Sequence, residues 1–257
     1  MIQKTAMATY KKRGSKPKTQ QNDNLGQEST TAEVFSTLDE SASKSEAWVA
    51  KNQNYILSFI GAVVLIVLGY LAYTNFVLAP KVSEANEEIF QAQQYFDLAL
   101  IDTESSDSLF TLALEGGAGK YGFLDIIEQY SGTPAASIAT YSAGMAYLNL
   151  NKFDLAIEYL QDFSSDDLLL SALALGGIGD AFAEINQLED ALDYYEKAAS
   201  TNANSFTSPF FLMKAGQTAL GLGKNSVAKA HFETIKEEYA SSDEASLIDI
   251  YIGQASN

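Results

Sequence analysis

"ATYSAGMAYLNLNKFDLAIEYLQDF", Ala139 to Phe163, decides the fold, because the chain goes on to repeat it twice. "ALGGIGDAFAEINQLEDALDYYEKA" starts at Ala174 and "FLMKAGQTALGLGKNSVAKAHFETI" at Phe211. Aligned, Gly144, Gly179 and Gly216 coincide, as do Tyr147, Phe182 and Ala219. Ala156, Ala191 and Ala228 then fall together, followed by Leu160, Tyr195 and Phe232. The glycines are 35 and 37 residues apart. Repetition at this period marks stacked supersecondary units, none of which buries its apolar face alone. Apolar residues at three- and four-residue steps predict a pair of helices in each unit. Asn151, Asn186 and Gly223 take the turns, where a left-handed backbone is easiest for Asn or Gly.

This pattern resembles the tetratricopeptide repeat, a helix–turn–helix of ~34 residues. The resemblance implies an all-α, right-handed solenoid. Glycine on the first helix lets the second approach, and the aromatic near the turn fills the space between them. The small alanine on the second helix admits the next contact. The bulky residue four positions later is expected to pack into the following repeat. The clear repeats cover about 137–171, 172–207 and 209–243, with extra loop residues before Pro209 and Ala219 where an aromatic is usual. Residues 83–135 read as worn repeats, beginning with a helix over "KVSEANEEIFQAQQYFDLAL". Residues 244–255 are predicted to form a capping helix with Leu247, Ile250 and Tyr251 turned inward.

Ahead of the repeats, no charged side chain occurs between Lys51 and Lys81. A helix needs ~20 apolar residues to cross a bilayer core, and residues 55–79 supply them. Their length and distance from the amino terminus argue against a cleaved signal, so they predict one transmembrane helix. Residues 1–22 carry six cationic side chains and no acid. From Lys81 onward 8 lysines face 27 acids, a net charge of −19. Cationic flanks stay in the cytoplasm, so the bacterial inner membrane is the expected site, with 80–257 as a periplasmic domain. Such an acidic domain repels nucleic acid.

The leader, 1–30, is basic and too polar to build a core, and is expected to be disordered on the cytoplasmic side. Residues 31–54 predict a short amphipathic juxtamembrane helix, with Thr30 and Glu33 as a capping box. Val34, Phe35, Leu38 and Trp48 are candidates for docking on a neighbouring membrane protein or lying in the headgroups; the alternative is a lead-in that only extends the anchor.

The sequence excludes most catalytic chemistry. Cysteine is absent and His231 is the single histidine, which removes thiolate sites and histidine relays. "EGGAGKYG", Glu115 to Gly122, contains G-x-G-x-x-G, but no strand precedes it and no acid stands near position 140. Leu114 replaces the first glycine of a P-loop and Tyr121 replaces its Ser or Thr. The run reads as a helix-ending glycine and a mobile corner, anchored by Tyr121 and Phe123. Asp166 and Asp167 read as a helix start rather than an acid–base pair. No enzyme, cofactor, metal site or small-molecule substrate is expected.

In repeats of this type the concave wall comes mainly from the first helices. That places Tyr141, Met145, Leu148 and Asn149 in the groove, then Asp180, Ala183 and Glu184, then Phe210, Met213, Gln217 and Leu220. Relatives that clamp a chaperone's terminal carboxylate use lysine and arginine there. Here those positions read as aromatic, methionine or acidic, which suits extended apolar segments or a partner helix. The alternative is that they pack against the terminal helices.

The whole layout over roughly 50–257 resembles the YfgM-like family, single-span tetratricopeptide proteins regarded as ancillary subunits of the Sec translocon. The resemblance implies a non-enzymatic periplasmic scaffold with chaperone-like character. Its partners would be the translocon, a membrane-anchored periplasmic chaperone and emerging polypeptides. The alternative is an assembly factor of another envelope machine, for outer-membrane biogenesis or a dedicated secretion system.

Overall fold

The computed structural model describes residues 30–201 and 203–256, with side chains from Thr37 onward. The leader expected over 1–30 lies outside these residues apart from Thr30, which opens the first helix. The chain divides into two compact units, 1–67 and 68–257.

The fold is all-α. Helix α1, Thr30–Tyr73, covers both the predicted amphipathic stretch and most of the predicted span. The helical run Thr37–Ile101 holds an apolar window long enough to cross a membrane, none of it buried by protein. A π turn, Thr74–Leu78, follows, and the Ala79 amide donates back to the Thr74 carbonyl. Its cause is Pro80, which has no N–H to give and whose ring crowds the preceding turn. Asn75 and Thr74 donate side-chain hydrogen bonds to the Leu71 carbonyl at 2.8 and 3.0 Å.

Helices α2 (Ala79–Ile101), α3 (Ser106–Glu115) and α4 (Phe123–Gln129) cover the stretch ahead of the clear repeats. Three hairpins follow: α5 (Pro134–Asn149) with α6 (Phe153–Asp162), α7 (Leu168–Glu184) with α8 (Leu188–Thr201), and α9 (Thr207–Gly221) with α10 (Asn225–Glu238). A 3-10 turn, Glu244–Leu247, leads into α11, Ile248–Ala255. Each helix from α4 packs on the next, and the first helices also touch in series, α5 with α7 and α7 with α9. Among the described residues there is no strand, only an isolated bridge between Gly117 and Lys120.

The residues expected to make the hairpins do so. Asn151, Asn186 and Gly223 have φ of 58, 59 and 72°, and each turn is closed by the next residue's amide reaching back, as Lys152 does to the Tyr147 carbonyl at 2.9 Å. Ala156, Ala191 and Ala228 are fully buried. A methyl group on Gly144 would stand 2.6 Å from Leu160, and one on Gly179 would stand 2.7 Å from Tyr195. On Gly216 it would overlap Phe232. The bulky residue therefore seats on the glycine of its own hairpin, in addition to the expected contact with the following repeat. Leu160 does both, also lying against Ala174 and Ile178 of α7.

Side-chain caps set the starts of α5 and α7. Thr133 accepts from the Ala136 amide at 3.2 Å ahead of Pro134, and Asp167 accepts from Leu169 and Leu170 at 2.8 and 3.2 Å. Before α9 the longer loop is tied by Asn204, whose side-chain oxygen accepts from Phe206 and Thr207, both at 2.8 Å. At the far end, Leu247 and Ile250 are 57% and 59% exposed, contrary to the inward positions expected of them. The inward face of α11 is Ile248, Tyr251, Ile252 and Ala255, with Ile248 and Ile252 37 residues beyond the inward Phe211 and Ala215 of α9.

Candidate functional site

The face formed by α5, α7 and α9 is built around Asp180, one residue past Gly179. Its carboxylate accepts from Lys214 Nζ at 2.6 and 2.8 Å and from the Tyr195 hydroxyl at 2.6 Å. Lys214 comes from the next hairpin, and its ammonium also lies over the rings of Phe210 and Tyr195, at 5.0 and 5.6 Å from their centroids. Burial, and then the neighbouring Asp180 carboxylate, push the Tyr195 phenol well up from its ordinary range, so it remains a donor. These groups floor a depression of about 440 Å³, lined also by Leu148, Phe153, Glu184 and Gln217.

Of the predicted groove residues, Leu148, Asp180, Ala183, Glu184 and Gln217 meet in this depression. Asn149 is exposed, with its amide donating to the Met145 carbonyl of its own helix at 2.8 Å. Tyr141 is half-buried against Phe163, centroids 5.4 Å apart, and Met145 lies half-buried beside it in the same cluster. Met213 and Leu220 are half-buried in the carboxy-terminal core. Phe210 lines a separate depression of about 490 Å³ with Leu173, Phe206, Asp243 and Glu244. On α1, Leu38 and Trp48 are exposed, while the side chains of Val34 and Phe35 lie outside the described residues.

Sequence reasoning missed Lys214. The groove positions read as aromatic, methionine or acidic, yet a cation stands among them, 34 residues from the carboxylate that neutralises it. That spacing was the available signal, and it recurs. Gln217 donates to the Tyr251 hydroxyl at 3.2 Å, 34 residues on, and His231 pairs with Glu196 at 2.8 Å across 35 residues. His231 therefore ties one repeat to another.

The glycine corner is a tight link between two helices. Gly116 and Gly119 have φ of 82 and 76°, Ala118 of 53°, and the Lys120 amide donates to the Gly117 carbonyl at 3.0 Å. A methyl group on Gly122 would overlap the Leu114 carbonyl, so that glycine is needed for close approach within the link. Phe123 is fully buried and Tyr121 half-buried beside Tyr130, which anchors the corner. A helix, α3, precedes the run where a dinucleotide site needs a strand. Among the described residues no three acidic or histidine side chains gather as metal ligands.

Residues 141–205 match the tetratricopeptide repeat family. No curated protein and no solved structure matches the chain. The matched stretch runs from within α5 to the loop after α8, and the third hairpin reproduces the same glycine seat and left-handed turn. Residues 141–205 are thus similar to tetratricopeptide repeats, and one apolar helix ahead of them is compatible with a single-pass membrane anchor.

Proposed function

We propose that this protein is a scaffold anchored in the bacterial inner membrane, with its repeats in the periplasm, holding a partner polypeptide beside the Sec translocon. Tetratricopeptide repeats are protein–protein interaction scaffolds, and the fold is typically non-enzymatic. The observation that carries the reading is the face of α5, α7 and α9, whose Asp180, Glu184, Lys214 and Gln217 present polar groups around an open depression next to apolar side chains. Such a face recognises side chains and backbone without chemistry of its own. The exposed apolar window of the Thr37–Ile101 run supports the anchor. The cationic leader supports a cytoplasmic amino terminus. A chaperone-like role for emerging polypeptides, beside a membrane-anchored periplasmic chaperone, follows from the YfgM-like layout.

The test is purification of the full chain from its own membranes in mild detergent, with mass spectrometry of what remains bound. Translocon subunits in near-equal amounts support the reading. Outer-membrane or secretion-machine components without the translocon move the scaffold to another envelope machine. Protease added to intact spheroplasts should digest the repeats and spare the leader; the reverse pattern would overturn the orientation.

A further inference from the structure

The first helices carry a second row of side chains beside the polar depression. Six residues before the aligned glycines stand Ile138, Leu173 and Phe210. Gln217 bonds to Tyr251 across 34 residues, as Asp180 bonds to Lys214 across 34, so α11 lies in the register of a fourth first helix. In that register the next member of the row is Leu247, 37 residues beyond Phe210. Ile138, Phe210 and Leu247 are 39%, 43% and 57% exposed, and Leu173 is half-buried. Single exposed apolar residues are ordinary, but three recurring at the same place on α5, α7 and α9, with Leu247 at the end of the 3-10 turn ahead of α11, form a ledge.

Carboxylates flank both ends of this ledge. Ile138 lines a depression of about 670 Å³ with Asp162, Asp166 and Asp167, and Phe210 lines its own with Asp243 and Glu244. Neither depression has a lysine among its lining residues, and the Lys214 ammonium over the Phe210 ring is neutralised by Asp180. The spacing of the row also selects a conformation. Packed helices stand ~8–10 Å apart, and an α-helix advances ~10.5 Å in seven residues, which returns a side chain to the same face. An extended strand covers that distance in ~3 residues, which turns every second contact away.

We propose that this row docks a cationic amphipathic helix of a partner protein, laid across the first helices. Its apolar residues fall about seven positions apart, and lysine or arginine on its flanks meets the two acidic depressions. The inference rests on the scaffold reading and names the partner's chemistry.

The probe is a fluorescent peptide of about 22 residues, made of leucine, alanine and lysine with leucines at helical spacing, a length that spans four rungs. It is titrated by anisotropy against the full chain in nanodiscs of uncharged lipid. Two controls are a scramble of the same composition and a version with glutamate for lysine. The designed peptide should bind at least tenfold more tightly than either control. Phe210→Ser and Leu247→Ser should each weaken it about tenfold, the usual cost of losing one large apolar contact. Binding of each peptide to lipid is measured on empty nanodiscs and subtracted, because an amphipathic peptide enters a bilayer interface more readily than its scramble. Equal affinity for the scramble, or no loss in Leu247→Ser with normal helix content, overturns the ledge. Self-association of the full chain that Leu247→Ser abolishes also overturns it, in favour of a second copy. Partners retained from native membranes equally by wild type and Leu247→Ser would remove the ledge and leave the scaffold standing. A wild type that retains no partner removes the scaffold reading itself.

Discussion

Lys214 reaches back one repeat to Asp180 and places its ammonium 2.6 and 2.8 Å from the two carboxylate oxygens. The bond joins α7 to α9 on the face where partners are expected, and Gln217 does the same for α11 through Tyr251. Apolar contacts hold neighbouring hairpins together but are tolerant of small rotations. Directional polar bonds fix the angle at which one hairpin sits on the next.

Lys214→Met should therefore loosen the stack modestly. Both side chains of the pair are about a third exposed to water, so the expected loss is ~1 kcal/mol, or ~2–4 °C in Tm for a domain of this size. A double-mutant cycle with Asp180→Asn should show a coupling of ~0.5–1 kcal/mol. Coupling near zero would mean that apolar packing alone sets the angle.

Gly216→Ala tests the glycine seats. Alanine is a better helix former than glycine by ~1 kcal/mol, so an unhindered site would gain stability. Here the added methyl overlaps the ring of Phe232, which is fully buried and has no room to retreat. The overlap should win, for a net loss of ~1–3 kcal/mol by chemical denaturation. Gly221→Ala is the control, since its methyl would lie 3.9 Å from Leu188, an ordinary contact, and that variant should be neutral or slightly stabilised. Equal behaviour of the two variants would refute the seat.

Tyr130 predicts a pH dependence. Burial, and then the negative charge of the Glu84 carboxylate, raise its pKa to about 12 from 10.0. The fold thus favours the neutral phenol. Below pH ~10 both folded and unfolded chains hold the proton and the contribution is constant. From there to about pH 12 the unfolded chain releases its proton first, so stability falls with rising pH. Tyr130→Phe should flatten part of that fall and remove one late-titrating phenol from the tyrosinate absorbance. The rest of the decline belongs to other buried phenols such as Tyr195. An unchanged absorbance titration in Tyr130→Phe would show that this phenol titrates normally.

The parts of the fold that were legible in sequence are those in which one residue does one local job. Asn151, Asn186 and Gly223 announce a left-handed turn whatever surrounds them, and Gly144, Gly179 and Gly216 mark close approach because no other residue permits it. The Lys214–Asp180 bond was not legible, because it depends on the rotation between hairpins, which the period of the repeat does not specify. Its partners stand two residues before one aligned glycine and one after the other. At the far end, Ile248 and Ile252 turn inward in place of Leu247 and Ile250, 37 residues beyond Phe211 and Ala215 of α9. The candidate groove was half legible for a similar reason. Helical spacing put Met145, Met213 and Gln217 on one face, but only the packing of neighbouring helices decides which of them water reaches. Met145 and Met213 are half-buried in the cores and Gln217 is exposed.

The membrane anchor gives the last prediction. Ile66 and Leu68 lie near the middle of the uncharged stretch between Lys51 and Lys81, and both side chains are exposed on α1. Water is a poor surrounding for such a surface, whereas hydrocarbon accepts it at no cost to backbone hydrogen bonding, because the helix satisfies its own. Arginine at the centre of a membrane helix costs ~2.5–3.5 kcal/mol on insertion scales. Ile66→Arg combined with Leu68→Arg therefore opposes insertion by roughly 5–7 kcal/mol. The double variant should move from the carbonate-resistant membrane pellet to the soluble or degraded fraction. Leu247→Arg is the control, because it adds a cation to an equally exposed leucine in the repeat unit, and it should stay with the membrane. Release of both variants would point to the repeats, rather than α1, as what holds the protein there. Retention of both would mean that the apolar window of α1 is not the anchor.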